Sequence, residues 1–222
     1  MTFDWDFTLS ILPSLAAATR VTIAVTLVAF TLALLGGLGL AVLLRMPVWV
    51  CLPVAASIEF IRSTPLLVQI FAAYFLLPEL GVMFDPFTTG ALVLGLHYAC
   101  YVAQVFRGAI DGVPRGQWEA AAALGLRRGG ILALVILPQA VPPAIPPLGN
   151  YLVAMFKDVP MLAAITLVEL MYTANRIAAE KFLYVEPMTL VGLIYLVISL
   201  AAAFAIRRVE QHFAPARSPT GD

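Results

Sequence analysis

Charge is what this sequence has least of. Only 12% of its 222 residues are charged and its mean hydropathy is +0.96, whereas soluble domains run nearer a quarter charged. That excludes an ordinary soluble protein and points to an integral membrane chain. The 13 basic and 13 acidic residues cancel, so net charge indicates no partner, and nucleic acid is not an expected one. The two cysteines, Cys51 and Cys100, both lie in apolar stretches. A disulfide framework is thereby excluded, and both read as small buried apolar residues. The opening MTFDWDFTLS has two aspartates and no basic residue. It lacks the basic n-region of a cleaved signal peptide and is expected to stay attached. There is no GxxxxGK[ST] phosphate loop, no HExxH, no GxSxG and no acidic pair within an apolar run. These absences argue against a membrane enzyme built on His97, Tyr98, Cys100 and Tyr101. No internal repeat, low-complexity tract or soluble linker interrupts the chain.

What is present is a series of long apolar runs. A helix needs about 20 apolar residues to cross the roughly 30 Å hydrocarbon core. Val21–Leu44 supplies 24 without a charge. The preceding Ile11–Thr19, bounded by Arg20 and holding Pro13, reads as a separate short helix on the outer surface. A second run covers 48–77. In it Glu59 and Arg62, three apart, share a helix face and can pair, and Pro65 is expected to bend the helix. PELGVMFDP, 78–86, reads as a loop. Phe87–Phe106 is uncharged, and the helix is expected to reach about residue 110. Five prolines between 138 and 147 argue against an unbroken helix there, so the next crossing is expected only from Pro143 to Lys157. Pro160–Tyr172, with Glu169 inside, reads as a re-entrant or interfacial helix. Met188–Ile206 ends at Arg207 and Arg208. The expectation is one all-α membrane domain with five spans at about 21–44, 48–77, 87–110, 143–157 and 188–206. The tail APARSPTGD is expected to be unstructured.

Basic residues give the orientation. With the N-terminus outside and the C-terminus cytoplasmic, Arg45, Arg62, Arg107, Arg115, Arg127, Arg128, Arg207, Arg208 and Arg217 lie inside. Arg20, Lys157, Arg176 and Lys181 lie outside, so the split is nine against four. The loop 112–138 is then cytoplasmic.

That loop holds GQWEAAAALGLRRG, 116–129. Pro114 suits a first helical turn, the alanines are strong helix formers, and Gly125 is placed for a left-handed cap. Alanines allow close approach of another backbone, so the helix reads either as an element built to be gripped or as an ordinary exposed loop helix. The spacing Glu119-Ala120-Ala121, three residues, Gly125, nine residues, Val135, one residue, Leu137-Pro138 resembles the EAA-x3-G-x9-I-x-LP loop of bacterial ABC importer permeases, with Val135 the one departure. FIRSTPLLVQIFAAYFLLP, YVAQVFRGAIDGVPRGQWEAAAALGL and LPQAVPPAIPPLGNYLVAMFKD are similar to the polar amino acid branch of that family. That branch imports histidine, arginine and glutamine, and the likeness runs from about residue 15 onward. RSTPLLVQ, GLHYACY, VPRGQWEAA and PPLGNYLVAMFK look most like the ectoine/hydroxyectoine importer permeases.

The resemblance implies a type I ABC importer permease fold with no catalytic residues and no cofactor. ATP would be hydrolysed by cytoplasmic ATP-binding subunits, onto which Glu119, Ala120, Ala121 and Gly125 would dock. A substrate-binding protein would deliver ligand from outside. A sister permease subunit, or a second copy of this chain, would complete the path across the lipid bilayer. A passive channel would not need such a coupling helix.

Polar residues within spans are candidates for the substrate path because burying them is costly. They are Gln69, His97, Gln104, Asn150, Lys157 and Asp158. Gln69 and Gln104 can line one cavity or hydrogen-bond between helices. His97 can be a packing histidine, Asn150 can relieve a broken helix, and Lys157 with Asp158 can anchor at the interface. Many relatives in the branch carry glutamate where this chain has Gln104, and KDTSL where it has KDVPML. A neutral glutamine removes the attraction for a cationic ligand, and Pro160 removes a serine hydroxyl. Both changes suit a compact zwitterion such as ectoine, without separating it from other neutral amino acids.

Overall fold

The computed structural model describes residues 3–213, and among them every regular element is helical. The tail 214–222, with Arg217, lies outside the described residues. The helices are α1 (Trp5–Leu43), α2 (Val48–Ser63), α3 (Leu66–Phe71), α4 (Pro86–Asp111), α5 (Arg115–Ala123), the single turn α6 (Arg128–Gly130), α7 (Leu137–Asp158), α8 (Leu170–Lys181) and α9 (Val185–Phe213). Four stretches are long and apolar enough to cross a membrane, or five if the bent α2–α3 pair is one span.

Three expectations need correcting, and proline is the reason in each. No separate outer helix precedes the first span: α1 runs unbroken through Pro13. Pro13 sits on the exposed face while Ile11, Leu15 and Ala18 are buried opposite. A carbonyl freed on the open side can tilt outward while the packed side holds the helix. Likewise α7 is one helix through Pro142, Pro143, Pro146 and Pro147, starting at Leu137 rather than near Pro143. The stripe beside Pro143 and Pro147, made of Ala140, Ala144 and Leu148, is buried. The strain appears just upstream, where Pro138 offers no N–H to Leu134. The chain there winds as a π-helix over Ile131–Ile136, and Leu137 N–H reaches Leu132 O. The 48–77 segment, by contrast, is not a bent helix. It breaks by 104° between α2 and α3, because a residue before proline is pushed to extended backbone and Thr64 adopts φ −97°, ψ 134°.

The segment after α7 also differs from the single short helix read over Pro160–Tyr172. It is a 3-10 turn, Val159–Ile165, a left-handed Thr166, and then the start of α8. Glu169 caps α8 by accepting from Tyr172 N–H at 2.7 Å. Asp85 caps α4 ahead of Pro86, and hydrogen bonds led by that from the Thr88 side chain hold its carboxyl below the usual range.

The core is the parallel pairing of α1 with α4, made close by small residues. Ala29, Ala33 and Ala41 of α1 pack with Ala91, Leu94 and Val102 of α4 in one buried cluster. A Cβ on Gly37 would lie 2.5 Å from Val102 Cγ1 and 3.1 Å from the Ala103 backbone nitrogen. We therefore expect Gly37→Val to cost about 1–3 kcal/mol through overpacking. Gly39→Val, with nothing within 4 Å of its Cβ, should leave the melting temperature in detergent unchanged. Equal melting of the two variants would contradict this packing.

Candidate functional site

Helices α4 and α7 run antiparallel and share a polar and aromatic seam. On α4, His97, Tyr101, Gln104 and Gly108 recur at helical spacing, so they form one stripe. On α7 the matching stripe is Gln139, Pro143, Pro147, Tyr151 and Asp158. At the Asp158 end, Tyr98 OH donates to the Asp158 carboxylate at 2.6 Å. Tyr98, Tyr101 and Tyr151 are clustered with ring centroids 5.7–6.3 Å apart. The His97 ring lies 5.2 Å from that of Tyr101, and its Nδ1 is 3.1 Å from Gln69 Oε1. The Arg62 guanidinium covers the Tyr101 ring at 5.0 Å, a cation–π contact. Arg62 also pairs with Glu59 at 3.4 Å, as their spacing predicted.

At the other end the seam opens into a cleft of about 520 Å³ lined by Gln104, Gly108, Gly112, Gln139, Pro143 and Pro147, among others. Gln139 Nε2 donates to Gln117 Oε1 of α5 at 3.1 Å. The cleft therefore reaches the exposed helix.

Of the residues picked from sequence, Gln69, His97 and Asp158 gather at the aromatic end, and Gln104 lines the cleft. Gln69 is already engaged: its Nε2 donates to the carbonyls of Ile61 and Thr64, at 2.7 and 2.9 Å, across the α2–α3 break. Asn150 is exposed on the α7 side of the seam. Lys157 stands apart; it is exposed, and among the described residues it forms no ion pair with Asp158. Sequence reading passed over Tyr98, Tyr101, Tyr151 and Arg62. The available signal was the helical period linking His97, Tyr101 and Gln104.

The exposed helix α5 ends as expected. Gly125 has φ +75°, Gly125 N–H bonds to Ala122 O, and Leu126 N–H bonds to Ala121 O. That pair of bonds is a Schellman cap. Glu119, Ala120 and Gly125 are exposed, whereas Ala121 is buried against Ile110, Val113 and Ile136. Arg45, just beyond α1, pairs with Asp111 at the end of α4 and lies 5.3 Å above the Trp118 ring of α5. The exposed helix is thus tied to both core helices.

Residues 33–215 match the family described as binding-protein-dependent transport system inner membrane component. The chain belongs to that family. Among curated relatives, the "Probable amino-acid ABC transporter permease protein y4tG" of Sinorhizobium fredii (strain NBRC 101917 / NGR234) is 44% identical over 216 residues, 94% of each chain. The glutamine transport system permease protein GlnP of Escherichia coli (strain K12) is 33% identical over 214 residues, 95% of this chain and 98% of its own. The crystal structure of an amino acid ABC transporter with histidines superposes with a TM-score of 0.86 at 31% identity, covering 96% of this chain and 100% of that one. The permease thus has the all-helical type I ABC importer fold and is an inner-membrane subunit of an amino-acid ABC importer. It is a transport subunit rather than an enzyme, and membership implies a separate ATPase and a substrate-binding protein as partners.

Proposed function

We propose that this permease carries a compact zwitterion, ectoine or hydroxyectoine, along the α4–α7 seam. The observation that supports this most is the neutral cleft: Gln104 stands on its wall among glycines, prolines and Gln139. Gln104 stands where many relatives are expected to carry glutamate, so this wall lacks a charge. A cationic ligand gains nothing from such a wall, whereas a ligand with balanced charges needs no counter-ion there. A second reading, a permease for another polar amino acid such as glutamine, histidine or arginine, is favoured by the likeness to the glutamine permease and to the amino acid transporter solved with histidines.

In this reading the N-terminus is outside and the C-terminus is cytoplasmic. The loop 112–138 presents Glu119, Ala120, Ala121 and Gly125 to the ATPase, Ala121 by holding α5 in place and the other three by contact. ATP binding draws the coupling helices together and turns the path outward, and hydrolysis resets it. Gln104 and Asn150 are exposed in the single chain, which supports a second permease subunit, a sister chain or another copy, covering this face within the lipid bilayer. A passive channel would have no use for the tie from α5 through Arg45 to α1.

The test is ligand-stimulated ATP hydrolysis by the complex reconstituted with its ATPase, sister permease and binding protein, offered ectoine, arginine or glutamine in turn. Ectoine alone should stimulate. Stimulation by arginine or glutamine instead would discard the ectoine reading and keep the family. Gln104→Glu should weaken transport of the neutral ligand or admit cationic ones, by roughly tenfold in kcat/KM, the size of one charged contact. Unchanged selectivity would remove Gln104 from the path.

A further inference from the structure

Two backbone carbonyls on the seam lack both of the usual donors within their own helix. In a helix, the carbonyl of residue i takes the N–H of residue i+4, or of i+3 where the turn tightens. For Gln139 those residues are Pro143 and Pro142; for Pro143 they are Pro147 and Pro146. Proline carries no N–H, so both normal donors are removed from both carbonyls. A single proline would not do this. The neighbouring carbonyls of Pro138 and Pro142 each keep an i+3 donor, in Val141 and Ile145.

The placement is as specific as the spacing. Gln139, Pro143 and Pro147 all line the cleft toward α4, so both residues that carry the acceptors belong to its wall. The Gln139 side chain is engaged elsewhere, donating to Val135 O and Gln117 Oε1. The facing wall includes Gly108 and Gly112, and a Cβ at Gly108 would have nothing within 4 Å. The wall facing α7 thus leaves room at Gly108. Unpaired backbone in a membrane protein is tolerated where it lines a cavity, and an acceptor without a donor is a standing cost elsewhere.

We propose that the Gln139 and Pro143 carbonyls form a two-rung acceptor site for the N–H-bearing cationic group of the transported ligand: the ammonium of an amino acid, or the protonated ring nitrogens of a cyclic zwitterion. The inference rests on the importer reading above and assigns the wall that the ligand's cationic end follows. The rungs are one turn apart, about 6 Å of helix rise. A ligand nitrogen leaving Pro143 therefore meets Gln139 next, on the way to Gln117 of α5. Neutral carbonyls hold a positive N–H group without the grip of a carboxylate, so the ligand can also leave, as conduction requires.

The experiment uses the whole transporter in liposomes. It compares kcat/KM for uptake of a zwitterionic amino acid with that for its N,N,N-trimethyl analogue, which keeps the charge and loses every N–H. Pro143→Ala gives the Gln139 carbonyl a donor, and Pro147→Ala gives one to the Pro143 carbonyl. Both remove a helix breaker, so the melting temperature should not fall. Pro138→Ala is the control, since its new N–H faces the Leu134 carbonyl and Leu134 is not part of the cleft lining. The preference for the N–H-bearing ligand should drop about tenfold in each of the first two variants, the size of one hydrogen bond to a charged group, and hold in the control. The binding protein is the same throughout, so its own preference cancels between variants. An unchanged preference in both variants overturns the proposal. A wild-type transporter that moves no amino acid or cyclic zwitterion overturns the importer reading and this inference with it, an outcome distinct from an unchanged preference.

Discussion

Glu119→Lys will abolish uptake while leaving the permease folded. Glu119 is exposed on α5 and among the described residues forms no ion pair. Within its own chain the substitution removes little, and such surface changes stay within about 0.5 kcal/mol. At a docked interface the same position is central to the surface that α5 offers, beside Ala120 and above the capped turn at Gly125. Truncating or reversing a central interface residue costs roughly 2–4 kcal/mol, which is about 30- to 700-fold in affinity. The measurement is co-purification of the ATPase with the tagged permease, paired with the permease's own melting curve. Retained ATPase and retained uptake would remove the coupling role from this helix. Gly125→Val provides a second arm, because its φ of +75° disfavours a β-branched residue. There the loss should follow from a disturbed cap rather than from lost charge.

The second large effect is Glu169→Ala, and it acts on folding. Glu169 is fully buried and joins three helices. Its carboxylate accepts from Tyr195 OH of α9 at 2.7 Å and from Tyr172 N–H of α8 at 2.7 Å. Thr22 of α1 reaches it at 3.4 Å and also accepts from Leu170 N–H at 3.1 Å. Alanine strands the Tyr195 hydroxyl and the Tyr172 N–H around a buried position, at about 1–3 kcal/mol for each unsatisfied group. The summed loss is a large share of a typical stability of about 5–15 kcal/mol. Most of the variant should aggregate or be degraded, as read by fluorescence-detected size exclusion from membranes. Glu169→Gln keeps an acceptor and should recover much of the monodisperse peak. Combining Glu169→Ala with Tyr195→Phe should cost less than the sum, since one stranded group is then gone. Additive losses would show that the two side chains do not cooperate.

Legibility from sequence followed a simple physical division. Signals carried by the chain next to itself were readable. Asp85-Pro86 starts α4, Gly125 ends α5, and Glu59 pairs with Arg62 one turn on. Features decided by tertiary packing were not. Pro13 and the α7 prolines read as breaks because local propensity disfavours them, yet the buried stripes of both helices carry them through. Pro65 read as a bend and became a 104° break, because Gln69 satisfies the carbonyls that the break exposes. Glu169 stood out only as a charge in an apolar segment; its capping role was hidden, since glutamate is not a preferred N-cap and its side-chain partners lie 147 and 26 residues away. The seam was half visible. Its amides and His97 stood out as polar residues in apolar runs, while Tyr98 and Tyr101 entered only in the rejected enzyme reading, and Tyr151 not at all, until the antiparallel pairing of α4 with α7 set them side by side.

The glycine-lined meeting of α1 and α4 also fixes how force travels. Slip of one helix along the other by a single residue, about 1.5 Å, would drive Val102 out of the notch at Gly37 and Leu32 out of the notch at Gly95. The pair resists shear and behaves as one strut. Arg45 and Asp111 bolt the end at which both helices finish, and Trp118 of α5 bears on that bolt. A push on α5 is therefore delivered along the full length of α1 without being absorbed between the two core helices. The give has to come from joints outside the strut, and the break at Thr64-Pro65 is the sharpest of them.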